Sequence, residues 1–226
     1  MSGPVPRGDT DPAEWSDHVA TYDLVADRYA ATFLHELAHK PFDRALLARF
    51  AEVVGRRACP STPVCDLGCG PGHIGAFVAE HGVEVVGIDL SPGMVAEARR
   101  SFPSLTFSVG DMTALPYEDR SLAGIVCFYA LIHLPRARVP LALREMHRVL
   151  VAGGDLLLAV HGGEGTLHAP RMLDRPASID ATLFTPTELG ELAQAAGFAV
   201  VESHERAPYE SEVATQRIYV WARRER

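Results

Sequence analysis

The chain has 226 residues, 47% of them hydrophobic and 22% charged, which is the composition of an ordinary globular enzyme with room for a sizeable core. A formal charge of −8 argues against a polyanionic partner such as nucleic acid, which asks for a basic face. The first fifteen residues lack the apolar stretch of a signal peptide and no run reaches membrane-spanning length, so no membrane partner and a cytoplasmic location are expected.

Residues 1–12, rich in Pro, Gly and Asp, read as disordered, and 13–226 as one domain. From Pro12 to Phe33, Trp15, Val19, Tyr22, Val25, Tyr29 and Phe33 recur at helical steps and form an aromatic stripe. A second helix is predicted over 41–54, and a breaker cluster over 55–63 ends this N-terminal helical region, taken as 13–60. The four cysteines, Cys59, Cys65, Cys69 and Cys127, sit in apolar surroundings without the spacing of a disulfide framework.

The stretch Pro63–Gly75 organises the rest. A short apolar run carrying Asp66 breaks into Gly68, Gly70, Gly72 and Gly75, a strand running into a loop whose bare backbone lets a ligand approach. A helix is expected from His73, then strands over 83–88, 105–109, 122–128 and 156–161, with helices over 92–100 and 135–150 between them. Ser91 and Pro92 suit the N-cap and first position of the 92–100 helix. Residues 162–184 show no periodicity and read as a long loop covering the active site. Thr185 and Pro186 then open a helix, and 198–203 and 217–223 read as an antiparallel pair, so that 185–226 form the C-terminal part. Alternation across 63–161 predicts an α/β fold with a doubly wound parallel sheet and a ligand at the carboxyl ends of its strands.

Asp66-Leu67-Gly68-Cys69-Gly70-Pro71-Gly72 resembles the first motif of the class I S-adenosylmethionine-dependent methyltransferases of small-molecule type. Tyr22-Asp23…Ala26…Tyr29 is similar to a segment of that family which lies over the cofactor as a lid, with Tyr29 nearest the methionine end. The resemblance implies a Rossmann-like sheet of seven strands, the last inserted antiparallel between the fifth and sixth, a helical lid, and S-adenosylmethionine as cofactor. It implies further that Asp66 and a backbone carbonyl near Phe128 face the cationic end, and that Gly68, Cys69 and Gly70 cradle it. Asp111 would take the adenine amino group and Met112 its ring, with Tyr22, Leu90 and Met94 completing the cofactor set.

Asp89 also stands on its own chemistry. It follows Gly70 by 19 residues, and a carboxylate at a second strand's tip can accept both ribose hydroxyls; capping the next helix is the alternative. Gly70-Pro71-Gly72-His73-Ile74-Gly75 also fits G-x-G-x-x-G, so a nicotinamide dinucleotide competes, but Asp66 beneath a pyrophosphate is poor electrostatics. The C-x3-C of Cys65 and Cys69 lacks the third cysteine of an iron–sulfur motif, and His161, Glu164 and His168 read as loop residues, so no metal is expected.

His133 and Tyr29 are the catalytic candidates. His133 reads either as a general base or as a scaffold histidine, and resemblance favours the second. His161, Arg206 and Tyr209 are candidates for the substrate pocket. Cys127-Phe128-Tyr129-Ala130 lacks the Asp/Asn-Pro-Pro-aromatic motif of enzymes that methylate bases in nucleic acids, so the expected acceptor is a small molecule methylated at O, N or C. A binding protein that keeps the cofactor without transferring methyl remains an alternative, and the oligomeric state stays open, a homodimer included.

Overall fold

A computed structural model describes residues 12–57 and 62–225. The tail over 1–11 and Cys59 lie outside the described residues. Two helices, α1 (Pro12–Phe33) and α2 (Pro41–Gly55), precede the alternating region, joined by a short 3-10 turn over Glu36–His39. Next come β1 (Val64–Leu67), α3 (His73–Ala79), β2 (Val85–Asp89), α4 (Pro92–Ser101), β3 (Thr106–Val109), β4 (Leu122–Phe128), α5 (Val139–Val149) and β5 (Leu150–Gly162). The chain closes with β6 (Thr166–Met172), β7 (Arg175–Thr182), α6 (Pro186–Ala195), β8 (Phe198–Arg206) and β9 (Gln216–Arg224).

Seven strands form one sheet in the order β3-β2-β1-β4-β5-β9-β8. The first five run parallel, while β9 pairs antiparallel with both β5 and β8. The expected insertion of the last strand is therefore the one observed. β4 is buried along its whole length, as a central parallel strand covered on both faces must be. One core layer packs β4 and β5 against α5 and α6, with Leu143, Met146, Leu156, Leu158 and Phe184 at its centre; the other packs Leu47, Phe50 and Val54 of α2 against Val126, Leu157 and Trp221. The sheet order reverses between β1 and β4, and their carboxyl ends open the crevice where such folds take ligands.

Two expectations need correction. The helix predicted over 135–150 begins only at Val139, because the preceding residues wind into two 3-10 turns, Leu131–His133 and Arg136–Arg138. The stretch 162–184 is an antiparallel hairpin, β6 against β7, rather than a loop without structure of its own. Its tip turns through Leu173 and Asp174, both at positive φ (47° and 64°). Among the described side chains of its two strands, Ile179 and Ala181 are the buried apolar ones, too few for alternation to be visible in the sequence.

Candidate cofactor and acceptor cleft

A cleft of about 690 Å³, counted out to its mouth, lies at the carboxyl ends of β1, β2 and β4 under α1. Its floor is the loop after β1. Gly68 has φ +70°, and a Cβ there would sit 2.1 Å from the Ala130 Cβ, so only glycine lets the loop close against the end of β4. Gly70 has φ +51° and lines the cleft; the nearest atom to a Cβ placed there is Tyr29 Cε1 at 3.9 Å, so the side chain would occupy the space between loop and lid.

Asp89 closes the side wall at the tip of β2. Its Oδ2 accepts the Gly70 N–H at 2.8 Å and its Oδ1 the Ser91 N–H at 2.9 Å. It thus ties loop, strand end and the start of α4 into one frame. Capping of α4 falls to Ser91, not Asp89: the Ser91 Oγ accepts the Met94 N–H at 3.1 Å. Burial raises the Asp89 carboxyl above its ordinary range, only partly offset by the backbone N–H groups of Ser91, Gly70 and Leu90. Three backbone donors on about four lone-pair positions leave the carboxylate capacity for a further donor from the cleft. Leu90, Met94, Met112 and Phe128 line the same space with apolar surface.

Asp66 sits at the base of the loop, 1% exposed, its Oδ2 accepting the Gly75 N–H at 2.7 Å. Burial, with a smaller push from the Asp89 charge, raises its carboxyl to about 7. Neither Asp66, Cys69 nor Asp111 is in the cleft wall. Cys69 is buried in the layer behind the loop with Val95, Ala98 and Phe107. Asp111 Oδ1 is engaged by the Thr113 N–H (2.7 Å) and hydroxyl (2.8 Å), a local turn beside Met112.

The roof is aromatic. Tyr22 and Tyr29 descend from α1 with ring centroids 5.9 Å apart, edge to face. The Tyr22 hydroxyl is 2.7 Å from Nε2 of His133, which stands in the 3-10 turn after β4. Burial, then the neighbouring His18, lowers His133 to about 4, so its imidazole is neutral at physiological pH. Burial likewise raises both tyrosines, keeping them as neutral phenols. Tyr129, at the end of β4, has φ +57°, a strained conformation of the kind that gathers at functional sites.

Arg206 and Tyr209 are not brought into the cleft. Arg206 bonds Asp43 (2.8 Å), Glu212 (2.7 Å) and the Tyr219 hydroxyl (3.0 Å), and lies 4.0 Å over the Tyr209 ring. The Tyr209 hydroxyl accepts the Phe42 N–H at 3.2 Å. Buried charges must be paired, and this network pairs them behind the cleft. It meets the back of the wall at Tyr129, through the Tyr219 hydroxyl 3.2 Å from that of Tyr129 and through Lys40 and Arg217, both paired with Glu212, over the Tyr129 ring at 5.6 and 5.7 Å. His161 contacts the Tyr129 ring at 5.2 Å and bonds Thr215 at 2.8 Å without lining the cleft. His168 pairs with Asp180 on the hairpin.

Sequence reasoning missed His18, Val19, Ser91, Tyr129 and Ala130 in the cleft wall. Val19 did belong to the aromatic stripe; the others carried no signal beyond lying in or beside quoted motifs. Among the described residues, Asp89 is the one acid in the wall, and no lysine or arginine lines it.

A glycine-floored cleft with a strand-end carboxylate, apolar flanks and no cation defines a site for a nucleoside cofactor that is not a polyanion. The comparisons agree. Residues 64–154 match the family model described as a methyltransferase domain. The chain is 31% identical over 154 residues to an uncharacterized methyltransferase of Synechocystis sp., covering 64% of this chain and 70% of that protein. It is 36% identical over 143 residues to a demethylmenaquinone methyltransferase of Beutenbergia cavernae, covering 63% of this chain but only 57% of that protein's length. Among solved structures, magnesium protoporphyrin IX methyltransferase of Synechocystis, with bound S-adenosylmethionine, has the same fold: TM-score 0.71 at 17% identity, covering 97% of this chain and all (100%) of that one. The chain belongs to the class I S-adenosylmethionine-dependent methyltransferases.

Proposed function

We propose that this chain transfers a methyl group from S-adenosylmethionine to O, N or C of a small organic molecule, as a single domain spanning 13–226. The observation that carries the reading is the charge of the cleft: Asp89 in its wall and no lysine or arginine lining it among the described residues. That arrangement suits a ligand with an ammonium and a sulfonium and repels a pyrophosphate. When bound, the cofactor supplies an already activated methyl group on sulfur.

The chain's own residues position and shield. Asp89 accepts from the ribose hydroxyls on its remaining lone-pair capacity, and the backbone of Gly68 and Gly70 takes the methionine part, with Asp66 and the Phe128 carbonyl as the counter-dipoles of its ammonium. Leu90, Met94 and Met112 flank the adenine, whose amino group falls to Asp111. Tyr22 and Tyr29 roof the reacting end and exclude water. His133 accepts from, or donates to, the Tyr22 hydroxyl. A neutral imidazole held near a pKa of 4 is mismatched to proton abstraction at neutral pH, so His133 orients the tyrosine instead. The acceptor then brings its own nucleophile, such as a free amine, an enolate or an acidic phenol, and catalysis rests on proximity. A small organic acceptor is supported by relatives named for demethylmenaquinone and by a structural neighbour named for magnesium protoporphyrin IX.

The lack of a free base keeps a second reading in play, a protein that binds the cofactor without transferring methyl. Incubation with methyl-labelled S-adenosylmethionine and a metabolite extract, with tRNA, DNA and protein as parallel acceptors, separates them. Label in low-mass products supports methyl transfer to a small molecule. Tight cofactor binding with no label in any fraction supports the second reading, and label in a macromolecule contradicts the choice of acceptor.

A further inference from the structure

One strong contact of the lid takes no part in the cleft chemistry. Asp23, the residue after Tyr22, reaches from α1 to the first turn of α4. Its Oδ1 accepts the Gly93 N–H at 2.7 Å and the Ser91 hydroxyl at 2.5 Å. Ser91 in turn donates its backbone N–H to Asp89 and caps Met94. A carboxylate at the start of a ten-residue helix meets unsatisfied N–H groups and the positive end of its dipole. Thus a single chain of hydrogen bonds runs from the lid helix to the carboxylate in the cleft wall.

The packing around it is built for close approach. A Cβ on Gly93 would fall 2.9 Å from Asp23 Oδ1, 3.0 Å from the Asp23 Cα and 3.3 Å from the Ala26 Cβ. Two of those atoms cannot rotate away, so α1 would have to lift. On its other side α1 is held more loosely, by Arg28 to the Leu173 carbonyl at 3.3 Å and by the Asp180 N–H to His18 at 3.4 Å.

We propose that Asp23 is a positioning residue of the cleft: its bonds to Gly93 and Ser91 set the height of α1, and thereby hold Tyr22 on His133 and Tyr29 above Gly70. The proposal rests on the reading that the cleft takes S-adenosylmethionine, and its consequence is that Asp23 governs how long the cofactor stays without touching it.

The test uses the full chain with S-adenosylhomocysteine as probe, following affinity and dissociation rate, together with amide hydrogen exchange across 12–33 in the cofactor-free protein. Asp23→Ala is expected to weaken binding about tenfold, the low end for losing hydrogen bonds to a charged acceptor, chiefly through faster dissociation. Exchange across α1 should quicken in the same variant. Asp23→Asn should restore both, because a carboxamide oxygen still accepts from Gly93 and Ser91. Gly93→Ala, ordinarily a helix-favouring change, should reproduce the loss. Asp23→Ala with wild-type dissociation and unchanged α1 exchange would overturn the proposal, as would Asp23→Asn failing to rescue. Wild-type protein that does not bind S-adenosylhomocysteine would sink the cofactor reading itself, and the exchange measurement would still decide whether Asp23 holds α1.

Discussion

The Tyr22 hydroxyl and His133 Nε2, 2.7 Å apart, join the lid helix to the end of β4 across the mouth of the cleft. The two residues are 111 positions apart in sequence, and their contact is what makes the roof part of the site rather than a flap above it.

That contact predicts a mild mutational phenotype. If His133 orients Tyr22 and is not a base, His133→Ala lowers kcat by less than ~10²-fold, below the range of general acid–base catalysis. With His133 held near 4, kcat/KM should show no histidine limb between pH 5.5 and 8. A larger loss would assign proton transfer to this residue, as would a limb near pH 6.5 that His133→Ala abolishes.

Asp89 should be the strongest cofactor anchor. Asp89→Ala removes an acceptor in the cleft wall and the partner of the Gly70 N–H. It should weaken S-adenosylhomocysteine binding by ~1.5–3 kcal/mol, the scale of hydrogen bonds to a charged group. Calorimetric titration giving wild-type affinity would remove Asp89 from the site.

Asp66 sets a pH dependence of stability. Its carboxyl is raised to about 7, so between the unfolded value of 3.8 and 7 the folded state holds a proton that the unfolded chain has released. This contribution to stability is therefore full at low pH and lost as pH rises through 7. Asp66→Asn keeps an acceptor for the Gly75 N–H and cannot ionise. Relative to wild type it should gain ~2–4 kcal/mol between pH 4 and pH 8, since each tenfold difference in proton affinity between the folded and unfolded chain is worth about 1.4 kcal/mol. Denaturant titrations at the two pH values giving the same difference would contradict this.

The Arg206 network predicts structure without specificity. Burial pushes Glu212 upward, but the Arg206 hydrogen bond, the Tyr209 N–H and the charges of Arg217 and Lys40 outweigh it and bring it to about 2. Arg206→Met would leave Asp43 and Glu212 short of a cation and should cost ~3–5 kcal/mol of stability. Acceptor preference should stay unchanged in the folded fraction. A variant of wild-type stability, or one with a new acceptor preference, would return Arg206 to the substrate pocket.

The sequence made the sheet legible because parallel strands buried on both faces, such as 122–128, read as unbroken apolar runs, and because Ser91-Pro92 and Thr185-Pro186 mark helix starts chemically. The hairpin over 166–182 was hidden because so few of its side chains enter the core. In the site, the glycine loop and Asp89 were legible from local chemistry alone. Asp23 was not: an exposed acid on a helix looks like any solvated residue until the fold brings Gly93 beneath it. Arg206 and Tyr209 were pocket candidates whose partners, Asp43 and Phe42, lie more than 160 positions earlier, a distance no local pattern spans.

The most direct test of the cofactor reading is a paired thermal-shift and calorimetric titration with S-adenosylhomocysteine and with NADH. A cleft with Asp89 in its wall and no lysine or arginine lining it among the described residues predicts stabilisation and saturable binding by S-adenosylhomocysteine and none by NADH. Stabilisation by NADH alone would contradict it.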